Sequence, residues 1–390
     1  MDSIITSPAR DLKPGAADRI AASSHRPATL GAAAAGAISL AMGESDAGTP
    51  SAVVDAAVRS LAEGRTRYSP MTGAPALLEA FARKSSAEHD RATTPREVVL
   101  THGGSAGLAA SMLALVGPGD RVLIPEPTHS LYADDAAMVG AEVVWAAANA
   151  NRSLDLETLR REAPTARMVI LCNPGNPTGR VYSASDVHVI GGILAENPGL
   201  LLLSDEAYGS IVYDGLELVS ALDLADVSGQ VICCSTLSKT YAMTGWRLGY
   251  VVADGPLADK INLIHRTING PLNTFVQDAA LTALETPQAD LRAATASYQG
   301  RRDLVLEALQ GIPGVDVLSP QGAFFAFPRI ASQLSSDEMA ARFAEAGVMV
   351  RSGREFGPSG EGHVRLSFAT DHASLTEGLR HFETAVKDFL

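Results

Sequence analysis

The chain has 390 residues, which at ~150 residues per domain sets an expectation of two or three domains. It is 46% hydrophobic and 19% charged, enough apolar material for a core, so disorder is excluded as a description of the whole chain. Acidic residues outnumber basic ones 44 to 31, a net charge of −13, which removes any overall electrostatic reason to hold nucleic acid while leaving room for a few placed arginines to bind a small anion.

In chain order, residues 1–42 are irregular and rich in small side chains. The stretch Ala28–Met42 is shorter than the ~18 apolar residues that suggest a membrane span. It starts too late for a signal peptide and follows Asp2, Asp11 and Asp18, which a transit peptide would avoid, so a core helix or the lead into a strand is expected there. From Ser51, the residues Val53, Val54, Ala57, Val58 and Leu61 recur at helical spacing, and Gly64 follows as a stop. Pro75–Lys84 reads as a second amphipathic helix.

Then the rhythm changes. Short apolar runs occur at Val98–Thr101, Arg121–Ile124, Glu142–Trp145, Met168–Cys172, Leu200–Ser204, Val231–Ser235 and Leu248–Val252. Several are flat rather than alternating, as suits strands covered on both faces. Helical patterns such as Ser105–Leu115 and Ser183–Ala195 separate most of them, so a large, mostly parallel α/β sheet flanked by helices is expected. The three cysteines, Cys172, Cys233 and Cys234, are odd in number and form no Cys-x-x-Cys. That argues against a disulfide framework or a zinc site and points to a reducing compartment, the cytoplasm.

After Glu285 the pattern becomes α+β. A long helix at Asp290–Leu309 leads to strands near Val315–Leu318 and Ala323–Phe327, a helix at Asp337–Ala346, and strands at Val348–Arg351 and His363–Ala369. Ser374 and Glu377 read as a capping box for a last helix whose apolar stripe is Leu375, Leu379, Phe382, Val386 and Phe389. The expected division is residues 1–42 packing on the smaller domain, 43–285 as the large domain, and 286–390 as the small one.

Six segments could carry chemistry. Lys239, in Ser-Thr-Leu-Ser-Lys-Thr, lies between two buried strands, where desolvation turns an amine into a nucleophile toward carbonyls. Thr236, Ser238 and Arg247 could hold a phosphate beside it; a solvated surface lysine is the plain alternative. Asn176, in Asn-Pro-Gly-Asn-Pro-Thr-Gly, sits on a rigid turn at a strand's carboxyl end, where open α/β sheets bind ligands. Asp205 and Tyr208 follow the next strand; Asp205 could cap a helix or hold a heteroaromatic base protonated. Gly104 and Ser105 open a helix after a glycine-rich turn, a weak anion-site signal. Tyr68 and Arg365 come last; by alternation Arg365 points away from the apolar face of its strand, toward solvent or toward a ligand.

Taken together and in this order, these segments resemble the class I/II aminotransferases, pyridoxal 5′-phosphate (PLP) enzymes related to aspartate aminotransferase. The resemblance runs from about Ile38 to the C-terminus and rests on Asn-Pro-x-Asn-Pro-Thr-Gly and Ser-Lys-Thr…Gly-Trp-Arg-Leu-Gly-Tyr. It implies a large PLP-binding domain with a seven-stranded sheet and a smaller domain built from the C-terminal part and the N-terminal segment. It implies that Lys239 carries PLP as a Schiff base and moves the α-proton, and that Asp205 pairs with the ring nitrogen. Asn176 and Tyr208 would bond the phenolic oxygen, while Gly104, Ser105, Thr236 and Arg247 would hold the phosphate. Tyr68 would reach the phosphate of a neighbouring subunit in a homodimer with shared sites. Arg365 would clamp the substrate α-carboxylate, with Asn176 and Gly43 also against the substrate. His129 occupies the position of the aromatic residue that usually stacks on the ring; it stacks in its turn or alters the choice of substrate or reaction. Arg354 would meet an acidic substrate side chain or lie exposed. The implied reaction exchanges an amino group between an L-α-amino acid and a 2-oxo acid. The rivals are another PLP reaction that begins with the same deprotonation and a non-enzymatic sensing module.

Overall fold

The structure, a computed structural model, describes residues 14–26, 36–89 and 91–389. Most of Ala28–Met42 lies outside the described residues, as does the side chain of Phe389. In chain order, α1 (Ala16–Ser23) precedes the short strand β1 (Ile38–Ser39), then α2 (Ser51–Ala62) and α3 (Pro75–Glu88). The central strands are β2 (Val98–Thr101), β3 (Arg121–Glu126), β4 (Glu142–Ala147), β5 (Met168–Cys172), β6 (Leu201–Asp205), β7 (Val231–Thr236) and β8 (Gly249–Ala253). They are interleaved with α4 (Gly104–Leu115), α5 (Leu131–Val139), α6 (Leu156–Glu162), α7 (Ala184–Glu196) and the one-turn α8 (Leu237–Thr240); α9 (Gly255–Asn269) and α10 (Thr274–Leu284) follow.

These strands form one sheet in the order β2-β8-β7-β6-β5-β3-β4, parallel except for β8, which runs antiparallel to both neighbours. Every residue of β2, β5 and β6 is buried, which explains their flat apolar sequences: helices cover both faces. One face packs Val99, Ile124, Ile170 and Leu203 with α4 and α5; the other packs Leu123, Val169 and Leu202 with α7. The sheet is therefore a rigid platform whose strand ends are held from two sides.

The C-terminal part begins with α11 (Gln288–Gln310), followed by β9 (Val315–Asp316), β10 (Phe325–Ala326), β11 (Arg329–Ile330) and α12 (Ser336–Glu345). Next come β12 (Val348–Met349), β13 (Arg351–Ser352), β14 (Val364–Ser367) and α13 (His372–Phe389). The run expected as one strand at Val348–Arg351 is two: β12 pairs with β1, and β13 with β14. Val350 between them lets the chain change partners. The N-terminal segment is divided in the same way. β1 joins β12, whereas α1 lies against α5, with Arg19 donating to the carbonyls of Ala137 (2.8 Å) and Met138 (2.6 Å). The cap of α13 also differs from expectation. Asp371 accepts the Ser374 N–H (2.9 Å), and Glu377 turns outward to Arg380 (2.6 Å). An aspartate three residues ahead of an available amide forms this bond without distortion, and it moves the helix start forward to His372.

Candidate active site

The carboxyl ends of β2, β5, β6 and β7 open into a cavity of about 430 Å³ closed on its other side by β10, β14 and residues 41–43. Its walls include Gly43, Gly104, Ser105, His129, Asn176, Asp205, Tyr208, Thr236, Lys239, Arg247 and Arg365. All the expected site residues except Tyr68 therefore converge on one space, although they are spread over more than three hundred residues of sequence. Tyr68 stands 93% exposed, outside this chain's own cavity.

Lys239 sits on α8, whose start Thr236 fixes by accepting the Ser238 N–H (3.1 Å). Its Nζ donates to the Gly43 carbonyl (2.6 Å) and forms no ion pair among the described residues. Burial, aided by Arg365 and Arg247, pushes its pKa down to about 8. Asp205 ends β6 fully inside, where burial pushes its carboxyl up and a hydrogen bond from Tyr132 Oη (2.7 Å) opposes that shift. Tyr132, which supports Asp205 from behind, was not singled out in the sequence. The available signal was its position one helical turn past His129 at the start of α5.

The glycine-rich turn is shaped by close approach. Gly103 has φ 81°, and a Cβ there would lie 2.6 Å from Arg247 Nη2. A Cβ at Gly249 would stand 2.6 Å from the Gly103 carbonyl carbon, so β8 can pass the turn only as glycine. The N-terminus of α4 carries no side-chain cap, which leaves its first amides free for an anion. Beside it, Arg247 donates to the Thr244 carbonyl (2.9 Å) and pairs with no carboxylate among the described residues.

Arg365 is buried rather than solvent-facing. The face of β14 that alternation leaves polar is covered by Phe325 and Phe356, which lie 4.3 and 5.1 Å from the guanidinium. Nη1 donates to Asn176 Oδ1 (3.0 Å) and Nη2 to the Ala41 carbonyl (2.6 Å), while buried Nε has no partner. Burial pulls its pKa down to about 10. His129 is also in the wall, edge-on to Tyr132 at 5.5 Å, with Nδ1 unpartnered. Burial and the surrounding cations push its pKa down to about 3, so it is neutral at physiological pH. Arg354 is not in the cavity; it lies exposed, 3.3 Å from Asp337. Arg351 lines the cavity where Arg354 was expected, and Arg26 lines the same wall; neither Arg351 nor Arg26 stood out in the sequence.

A family model described as aminotransferase class I and II matches residues 35–382. The aspartate aminotransferase of Pyrococcus horikoshii is 33% identical over 90% of each chain. An arginine–pyruvate transaminase of Pseudomonas aeruginosa is 32% identical over 90% of this chain and 90% of its own. The solved structure of an aromatic aminotransferase from Pyrococcus horikoshii superposes with a TM-score of 0.88 at 30% identity, over 96% of this chain and 99% of its own.

Proposed function

Since the chain belongs to the class I and II aminotransferases and is a PLP-dependent aminotransferase, we propose that Lys239 is the amine that holds the cofactor and that Arg365 binds the substrate α-carboxylate. The residues fit PLP. An uncapped helix N-terminus and an arginine without a carboxylate suit a phosphate, a buried acid suits a ring nitrogen, and a desolvated amine suits an aldehyde. When bound, PLP supplies an aldehyde that takes up an amine and a ring that accepts the electron pair left on the substrate α-carbon.

The chain's own groups do the rest. Lys239, with its lowered pKa, has a large neutral fraction near pH 8 and can accept and return the α-proton. Asp205, which accepts a hydrogen bond from Tyr132, would pair with the ring nitrogen. The Tyr208 phenol, its pKa pushed up by burial, stays protonated as a donor to the phenolic oxygen; Asn176 offers its amide N–H while its Oδ1 accepts from Arg365. Gly104, Ser105, Thr236 and Arg247 would hold the phosphate, and His129 would lie against the ring as a neutral imidazole. Arg365 has five N–H donors and uses two within the protein, so a planar fork remains for a carboxylate. Gly43 completes this wall, since a Cβ there would press on the Phe325 ring at 3.0 Å.

One observation carries the reading: Arg365 is a buried cation with a free Nε and no carboxylate partner among the described residues, which is costly unless a ligand supplies the anion. An amino acid should convert the lysine-bound cofactor absorbance to that of the aminated cofactor, and a 2-oxo acid should restore it. Release of ammonia or peroxide in place of that reversal would refute the amino-transfer reading.

The oligomeric state, compartment and domain division belong to the same proposal. Val54, Val58 and Leu61 of α2, Tyr68, Met71, and Leu263 and Ile268 of α9 are large apolar side chains left exposed. They support a homodimer in which each Tyr68 reaches the other subunit's phosphate site. Three buried, free thiols support a reducing, cytoplasmic setting. The large domain is taken as residues 43–285 and the small one as 286–390.

A further inference from the structure

β13 pairs with β14 so that Arg351 stands directly opposite Arg365. Cross-strand partners in an antiparallel pair share a face, so the two guanidiniums line the same cavity wall side by side. Their pairing differs. Arg365 pairs with no carboxylate among the described residues. Arg351 donates from Nε to Glu355 Oε2 (2.8 Å) and makes a second, shorter bond from Nη2. Glu355 is buried behind it and does not line the cavity; its side chain is 4% exposed against 17% for Arg351. Arg351 Nη1 makes no hydrogen bond among the described residues. The other cation on this wall, Arg26, is compensated in a similar way by Asp134 at 3.4 Å. His129, neutral and buried, adds no charge.

A substrate whose α-carboxylate sits on Arg365 therefore presents its side chain to a wall that offers hydrogen-bond donors but no uncompensated positive charge. A second carboxylate would be desolvated there close to Glu355 with no cation of its own. A neutral acceptor of the same shape would take the free Arg351 donor without that penalty. We propose that Arg351, compensated by Glu355, reads the substrate side chain and selects an uncharged hydrogen-bond acceptor, such as a carboxamide, over a carboxylate of equal size. This rests on the reading of Arg365 as the α-carboxylate site.

Succinate and succinamate test it. They are nearly isosteric, carry a carboxylate for Arg365, and lack an amino group, so calorimetry on the PLP-loaded enzyme near neutral pH reads binding without turnover. Succinamate should bind about tenfold more tightly than succinate. Glu355→Gln, nearly isosteric, frees the charge of Arg351 and should abolish the preference, tightening succinate by about tenfold. Tighter binding of succinate to the unaltered enzyme, or a ratio unmoved by Glu355→Gln, would overturn the assignment. Arg365→Ala checks the underlying reading separately, because it should weaken both ligands by one common factor. A failed ratio with that common loss intact condemns the role of Arg351 alone.

Discussion

The two ends of the cavity are built on different principles. The cofactor end is made at the carboxyl ends of parallel strands: the turn after β2, Asp205 at the end of β6, Thr236 at the end of β7 and Lys239 just beyond it. Its geometry comes from backbone, through glycines that let β8 and Arg247 approach the turn and an uncapped helix start. The substrate end is made by side chains from separate regions, namely Arg26, residues 41–43, His129, and the β13–β14 pair. Its character comes from which cations have been given a carboxylate and which have not. A platform of strand ends fixes the chemistry; a wall of paired and unpaired charges sets what is accepted.

The largest effect that could break this division is at the cofactor end. Lys239→Ala should lower turnover by roughly 10²–10⁴-fold or more, since it removes a general base as well as the covalent anchor. Steady-state assays with saturating PLP check this, and an unchanged rate would move the chemistry elsewhere.

Arg365→Ala comes next. It should weaken both amino and oxo acid binding by about 2–5 kcal/mol while leaving the absorbance of the lysine-bound cofactor in place. A loss confined to that absorbance would erase the distinction between the ends.

Tyr132→Phe removes the hydrogen bond that opposes the upward push of burial on Asp205 and should cost about 1–3 kcal/mol of cofactor affinity, read by fluorescence titration of the apoenzyme. Unchanged affinity would leave Asp205 without need of that support.

The pH dependence follows from the lowered pKa of Lys239. The neutral amine is the nucleophile, so the rate at which apoenzyme captures PLP should rise through about pH 8 rather than near the ordinary lysine value of 10.5. A midpoint near 10 would mean that burial does not govern this amine.

The smallest effect belongs to Arg354. Its exposed pairing with Asp337 is worth about 0–1 kcal/mol, so Arg354→Ala should leave kcat/KM unchanged for every donor.

The same contrast decided what the sequence could tell. The strands of the sheet were legible because their flat apolar runs reflect burial on both faces, and the cofactor end was legible because each of its loops is a contiguous motif. The substrate end was not. Arg351 and Arg354 look alike in Arg-Ser-Gly-Arg-Glu-Phe, and only the register of β13 against β14 puts the first in the cavity and leaves the second outside. Glu355 acquires meaning from its hydrogen bonds to Arg351 alone. Alternation in β14 correctly turned Arg365 away from the apolar face but could not show that Phe325 and Phe356 bury the other side. The cap of α13 was misread because both Asp371 and Ser374 are good cap residues and only backbone geometry chooses between them.

The most direct test is to reduce the PLP-loaded enzyme with borohydride, digest it, and locate the cofactor by mass spectrometry. The account predicts one modified peptide with the pyridoxyl group on Lys239. A cofactor fixed to another lysine, or retained in full without any covalent link, would contradict it.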